Sequence, residues 1–368
     1  MFAFMDSVFT KMPAFLKALF VMLFIIVLVF CLIVGRSLLI PLFMGGFFAI
    51  LFTPISMFLE KYRIPRTLSC IISLLLMITL AVGLISFIVN NIVNFTQDFD
   101  DVSGRLVSVA ANLDEWTFEN FGINENLSEK IESDYLLTIL NENSKSISAF
   151  ALNSIGSLSG LILIPVFMFF FLLYRDHLVN MMVMVYRDRD PTLVRVRISN
   201  LRKVIQSYIV GVGKVMVILA ILNIIAYSII GIKHAIFFGV IGAILNIIPY
   251  VGPFFGVLLP IVYAFLTMDS LFYPLAIFAC YQGIQLLEGN FLTPKIVGGN
   301  VNLNAFITFL GLLVGAAIWG VAGMVLVIPM MAVLREIFEL AENTKPYALL
   351  MGEEKEKIKE LPKDEPKD

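Results

Sequence analysis

The chain has 368 residues, of which 59% are hydrophobic and 15% charged, with a net charge of −2 and a mean hydropathy of +0.93. These proportions exclude an ordinary soluble domain and describe a polytopic, all-α integral membrane protein, with no charge excess that calls for nucleic acid. Three scattered cysteines, Cys31, Cys70 and Cys280, and two histidines, His177 and His234, make neither a disulfide framework nor a metal pattern, so no cofactor is expected.

Lys11 and Lys17 precede an apolar run over 18–34. A second run, 38–59, follows at once with no small-residue cleavage pattern between them, which makes the first a retained span. Lys61, Arg63 and Arg66 crowd the loop before a third run, 67–93. The positive-inside rule then puts the N-terminus and this loop in the cytoplasm. Residues 94–148 hold eleven acidic and three basic residues. Within them Phe95, Phe99, Val102, Leu106, Val109, Leu113 and Trp116 alternate spacings of four and three, so the third span is expected to continue past the membrane with one apolar seam, and a helix over 127–140 to return. That seam suits a hairpin packed on itself or a contact between subunits.

A fourth run, 147–174, leads into a basic loop over 175–203. Val194, Ile198, Leu201 and Ile205 stand there at helical spacing among arginines, which predicts an amphipathic helix on the inner leaflet. The fifth run, 204–230, carries Lys214, which either snorkels to the interface or faces protein or water, and Asn223, read as an interhelical hydrogen-bonding group.

The next run, 236–266, is broken at its middle by Asn246-Ile247-Ile248-Pro249-Tyr250-Val251-Gly252-Pro253. Two prolines and a glycine so close together stop a helix. Each arm reaches only about 20 to 22 Å against a hydrocarbon core of about 30 Å, so the pair reads as a re-entrant hairpin with its tip at membrane depth. A sixth run, 271–287, ends in Gln282, Gln285 and Glu288 at every third residue, followed by Asn290 and Lys295. The last block, 305–334, is interrupted by Gly311, Gly315, Gly320 and Gly323. It forms either one long span or a second hairpin, and only the hairpin returns the charged tail to the cytoplasm.

The resulting expectation is about six full spans plus two re-entrant hairpins. It divides into a three-span region (1–93), an acidic peripheral hairpin (94–148), a fourth span with its basic loop (149–204), a transport core (205–340) and a disordered cytoplasmic tail (341–368). Broken helices of this kind frame solute sites in secondary transporters. The tip residues Asn246, Pro249, Tyr250, Gly252 and Pro253, with free backbone groups, and the polar residues Gln282, Gln285, Glu288 and Asn290 are the candidate site. Lys214 and Lys295 are candidate charge partners for Glu288. No phosphate-binding loop is present to serve an ATP motor, and neither H-E-x-x-H nor G-x-G-D is present to serve an intramembrane protease, so an enzyme is not expected.

The block 245–253, the stretch Gln285-Leu286-Leu287-Glu288-Gly289-Asn290, and Thr293-Pro294-Lys295-Ile296-Val297-Gly298 together resemble the signature of the autoinducer-2 exporter family, formerly grouped with the PerM permeases. The likeness extends through Gly311, Gly315, Gly320, Gly323, Pro329 and Val333. The resemblance implies a multi-pass carrier of the bacterial inner membrane, assembled as a homopentamer, that exports autoinducer-2 or a similar sugar-like solute in quorum sensing by an elevator-type movement. Some members of that family are credited with exchanging sodium for protons, so a coupling ion and a sodium/proton antiporter stay open as alternatives, as does a scaffold that transports nothing.

Overall fold

The computed structural model describes residues 13–97, 159–185, 190–249, 251–268, 270–297, 303–340 and 344–352, with isolated positions between 111 and 119. The acidic hairpin expected over 94–148, Lys11, Tyr250 and the tail beyond 352 lie wholly or mainly outside the described residues. Every regular element among the described residues is helical.

The first bundle comprises α1 (Ala14–Val34), α2 (Arg36–Lys61), α3 (Arg66–Gln97) and α4 (Ser159–Leu173). Its core gathers Ala49, Phe52, Cys70, Met77, Met168 and Leu172. Small residues set the helix spacing. A Cβ added at Gly45 would stand 2.6 Å from the Phe167 Cβ, so α4 lies against bare backbone there. Thr53 and Ser73 are buried without loss because their hydroxyls donate to the carbonyls of Ala49, at 2.6 Å, and Ser69, at 2.9 Å. At one end of this bundle Arg66 pairs with Asp176 at 2.7 Å and donates to the Leu172 carbonyl at 3.2 Å, while Arg175 pairs with Glu60. The 62–65 turn and the start of α5 (Arg175–Val185) therefore share one face, called here the basic end. α5 leaves α4 at an angle of 69°.

The longest element is α6 (Pro191–Ile230), 40 residues. Asp190 caps it by accepting from the Thr192 N–H at 2.8 Å, with Pro191 in the first turn, where its missing N–H is harmless. Gly231, at φ 91°, ends it in the left-handed conformation that glycine adopts without strain. The amphipathic stretch around 194–205 is thus continuous with the fifth span rather than a separate surface helix. No proline occurs between 192 and 230 to divide them. Arg197 near its start meets Glu339 at 3.4 Å and Glu336 at 3.9 Å.

Helix α7 (Ala235–Leu245) and helix α8 (Val251–Thr267) form the first hairpin, at the break the prolines predict. Its arms cross where Gly242 meets Gly256, and α7 presses on α6 through Gly239, whose Cβ would fall 2.8 Å from the Ile224 nitrogen. Helix α9 (Phe272–Leu287) then runs into a π-helical turn, Glu288–Leu292, and the short α10 (Thr293–Ile296). A core of Tyr227, Phe237, Phe238, Tyr263, Ala264, Ile277 and Tyr281 binds α6, the hairpin and α9 together.

The last block resolves as a second hairpin. α11 (Ala305–Leu340) is interrupted at Gly320, with φ 60° and ψ −137°. The chain doubles back there: a Cβ on Gly323 would fall 1.9 Å from the Gly315 oxygen, and one on Gly315 would fall 3.3 Å from the Val327 Cβ. Arg36–Lys61, Arg66–Asn91, Val194–Ile230 and Ala305–Glu339 are all long and apolar enough to cross a membrane. The last, however, makes two arms of about 22 and 30 Å rather than one span. Its open end is closed by α12 (Lys345–Met351), where the Asn304 N–H donates to the Met351 carbonyl at 2.9 Å and the Asn304 amide to the Leu350 carbonyl at 2.6 Å.

The two hairpins enter from opposite faces. The first starts at Gly231, the far end of α6, and the second has its base beside Arg197, at the basic end of the same helix, about 50 Å away along it.

Candidate functional site

The tip of the first hairpin and the return arm of the second face one cavity beside the middle of α6. Ile247 and Pro249 from the first, Met324, Val325 and Ile328 from the second, Tyr208 to Met216 from α6 and Phe47 to Leu51 from α2 surround a cavity of about 280 Å³. Trp319, next to Gly320, fixes the second tip by donating to the Leu32 carbonyl at 2.9 Å and packing 5.5 Å from the Phe43 ring.

The first tip is a tight turn. The N–H groups of Asn246, Ile247, Ile248, Val251 and Gly252 bond to the carbonyls of Gly242, Ile244, Leu245, Pro249 and Ile248. The free backbone donors that two prolines suggest are therefore engaged locally, because the chain turns through short local bonds instead of opening. Gly252 is required by contact: a Cβ there would lie 1.8 Å from the Leu245 oxygen. Pro253 follows half-buried in the first turn of α8, and Tyr250 lies outside the described residues.

One polar connection reaches this tip from outside the hairpin. The Gln285 amide donates to Asn246 Oδ1 at 3.3 Å and to the Tyr281 hydroxyl at 2.8 Å. Gln282 and Asn290 do not join it. Gln282 is exposed, and Asn290 is exposed with its amide turned back on the Leu286 carbonyl at 2.8 Å. Residues three apart on a helix with 3.6 residues per turn drift by about 60° at each step, so Gln282, Gln285 and Glu288 fan out rather than align. Glu288 opens the π-helical turn and accepts from the Thr293 hydroxyl, five residues on, which the wider turn brings to the same side. Lys214 and Lys295 are both exposed, and neither forms an ion pair with Glu288 among the described residues.

Sequence reasoning missed Tyr281 and Tyr227, each four residues from a polar residue it did single out, a spacing that places both on one helical face. Tyr227 and Asn223 are 0% and 2% exposed. The Tyr227 hydroxyl and Asn223 Oδ1 have no hydrogen-bond partner among the described residues. The Asn223 amide nitrogen lies 3.9 Å from where a Gly242 Cβ would stand, beside the crossing of the first hairpin's arms, and the Tyr281 hydroxyl lies 2.9 Å from a Cβ on Gly256 at the same crossing. A neutral hydrogen-bonding track thus runs along α6 and α9 against the hairpin. Such a track can orient hydroxyl or amide groups, and it holds no charged pair.

Comparisons with known proteins agree with this architecture. The profile described as AI-2E family transporter matches residues 19–343. YueF of Bacillus subtilis is 27% identical over 338 residues, covering 83% of this chain and 88% of that protein. YrrI of the same organism is 26% identical over 318 residues, covering 82% and 86%. TqsA of Escherichia coli, named an AI-2 transport protein, is 22% identical over 337 residues, covering 90% and 95%. With two opposed hairpins inside an apolar helical bundle and the family profile matched along nearly its whole length, this chain belongs to the AI-2E family of membrane transporters.

Proposed function

We propose that the chain is a secondary transporter that exports a small solute with hydrogen-bonding groups. The two hairpins with α6 and α9 are its moving part, and α2, α3 and α4 its frame. The observation that carries this reading is that two hairpins entering from opposite faces line one cavity, with the first tip tied to α9 by the bond from Gln285 to Asn246. A tip entering from each side lets either close access while the other opens, which is what alternating access requires. The elevator-type shift implied by family resemblance fits this division. The basic end, with Arg66, Arg175 and Arg197, is assigned to the cytoplasm. Pentameric assembly in the bacterial inner membrane is the arrangement the same resemblance implies. Side chains such as Phe24, 67% exposed, and Ile229, 81% exposed, are then covered by lipid or a sister subunit.

Autoinducer-2 is the first compound to test, since the relative TqsA carries that name. The experiment is counterflow of labelled autoinducer-2 into proteoliposomes preloaded with unlabelled compound, with Gln285→Leu and Glu288→Gln alongside. Wild-type uptake lost in Gln285→Leu supports the reading. Well-folded wild-type protein that takes up nothing above empty liposomes removes autoinducer-2 as the solute.

A further inference from the structure

We infer that the transported solute carries a compact apolar body, seated in the cavity between the hairpins, and is an amphiphile rather than a fully hydroxylated sugar. The inference rests on the reading that the hairpins carry the solute, and it names that solute's class.

Three observations lead there. The cavity belongs to both hairpins and to the frame at once: Ile247 and Pro249 come from the first tip, Val325 from the return arm of the second hairpin, Tyr208 from α6, and Phe47 and Leu51 from α2. A molecule held there touches everything that must move and the wall it moves against. The walls are also apolar. Among the described lining residues Tyr208 alone has a polar side chain, and its hydroxyl bonds to no described residue. A sugar placed there would leave most of its hydroxyls unpaired, each weakening binding by on the order of tenfold. A molecule with one hydroxyl partner for Tyr208 would not. Finally, an apolar cavity of about 150 Å³ holds one benzene ring, so about 280 Å³ suits a body of roughly ten to twelve non-hydrogen atoms. The hydrogen-bonding track from Asn246 through Gln285 to Tyr281 is then a polar margin at the tip, not the seat of the whole solute.

The test is counterflow in proteoliposomes of the full chain, run in parallel with labelled 4-hydroxyphenylacetate and labelled autoinducer-2. Its ring has the size the cavity takes, with the phenol toward Tyr208 and the carboxylate left outside the apolar walls at the polar margin of Asn246 and Gln285, and its charge makes it cross bare lipid slowly. The expected result is exchange of the aromatic acid at least about tenfold above empty liposomes and above autoinducer-2. Val325→Trp, which fills the cavity, should abolish it. Tyr208→Phe, which keeps the packing, should weaken apparent affinity for the phenol by about tenfold while leaving phenylacetate unchanged. Autoinducer-2 exchange that the aromatic acid neither matches nor inhibits, and that Val325→Trp does not slow, overturns the inference and leaves the carrier reading standing. If well-folded protein moves neither compound, this inference falls, while the carrier reading, which names no single solute, loses only autoinducer-2. A Tyr208→Phe protein that treats phenol and phenylacetate as the wild type does removes Tyr208 from the site.

Discussion

Replacing Gly323 by alanine tests the second hairpin most directly. The added Cβ would stand 1.9 Å from the Gly315 oxygen and 2.6 Å from its carbon. Ordinary contact begins near 3.4 Å, so the arms must part by about 1.5 Å, and backbone faces backbone, so no side chain can swing aside. Gly311 offers a contrast. There the nearest atom is the Met331 sulfur, at 2.3 Å, the end of a flexible chain that can turn away. Overpacking of a close-packed contact costs about 1 to 3 kcal/mol. The predicted result for Gly323→Ala is therefore a melting temperature in detergent lower by on the order of 2 to 8 °C and transport reduced at least about tenfold, with Gly311→Ala much milder. Gly283→Ala, which meets nothing within 4 Å, is the control. Were Gly323→Ala to melt and transport like Gly283→Ala, the two arms would not be packed as described, and residues 305–340 would have to be reread as a single span.

Other expectations follow from the same contacts. Gly320→Ala, at φ 60° and ψ −137°, should destabilise by about 1 to 3 kcal/mol although the site is open, seen as a lower melting point without a change in packing elsewhere. Gln285→Leu severs the bridge to Asn246 and leaves the buried Tyr281 hydroxyl without its partner, so the melting temperature should fall by a few degrees and transport by about tenfold; unchanged transport would remove the residue from the site. Asn304→Ala removes the cap on Ile307 and the side-chain bonds to residues 350 and 352, which should loosen α12 and make the chain cleavable at Tyr347 by added chymotrypsin at a concentration that spares the wild type. Cysteines placed at Lys233 and Lys345 should react with an impermeant maleimide from opposite sides of sealed vesicles; reaction from one side only would contradict the opposed entry of the hairpins.

Much of the frame was legible because membrane insertion writes it in composition. The apolar runs, the break at Pro249 to Pro253 and the shared face of Arg66 and the 175–203 loop all follow from rules that act residue by residue. The second hairpin was legible only as an alternative, since glycines permit either a packed straight helix or a fold, and the choice is made by the single conformation of Gly320. The union of the amphipathic stretch with the fifth span was missed because a change of surroundings from water to lipid alters side-chain pattern without breaking the backbone. The candidate site was read in part. Asn246 and Gln285 meet, but Gln282 and Asn290 point elsewhere, and a spacing of every third residue hides a steady rotation around the helix. The cavity itself left no trace in the sequence, because its walls come from four segments and look like any other apolar residues.

The unbroken course of α6 makes it a lever as well as a span. Forty residues make a rod of about 60 Å, roughly twice the hydrocarbon thickness, whose stub beyond the bilayer is tied through Arg197 to the base of the second hairpin. Pivoting such a rod by about 10° near Gly231 sweeps Pro191 through about 10 Å, while residues beside the cavity travel only about half as far. Small displacements at the tips are thereby magnified at the basic end, where they are easiest to watch. Spin labels at Val196 and Tyr62 would register the stroke of the machine from outside it.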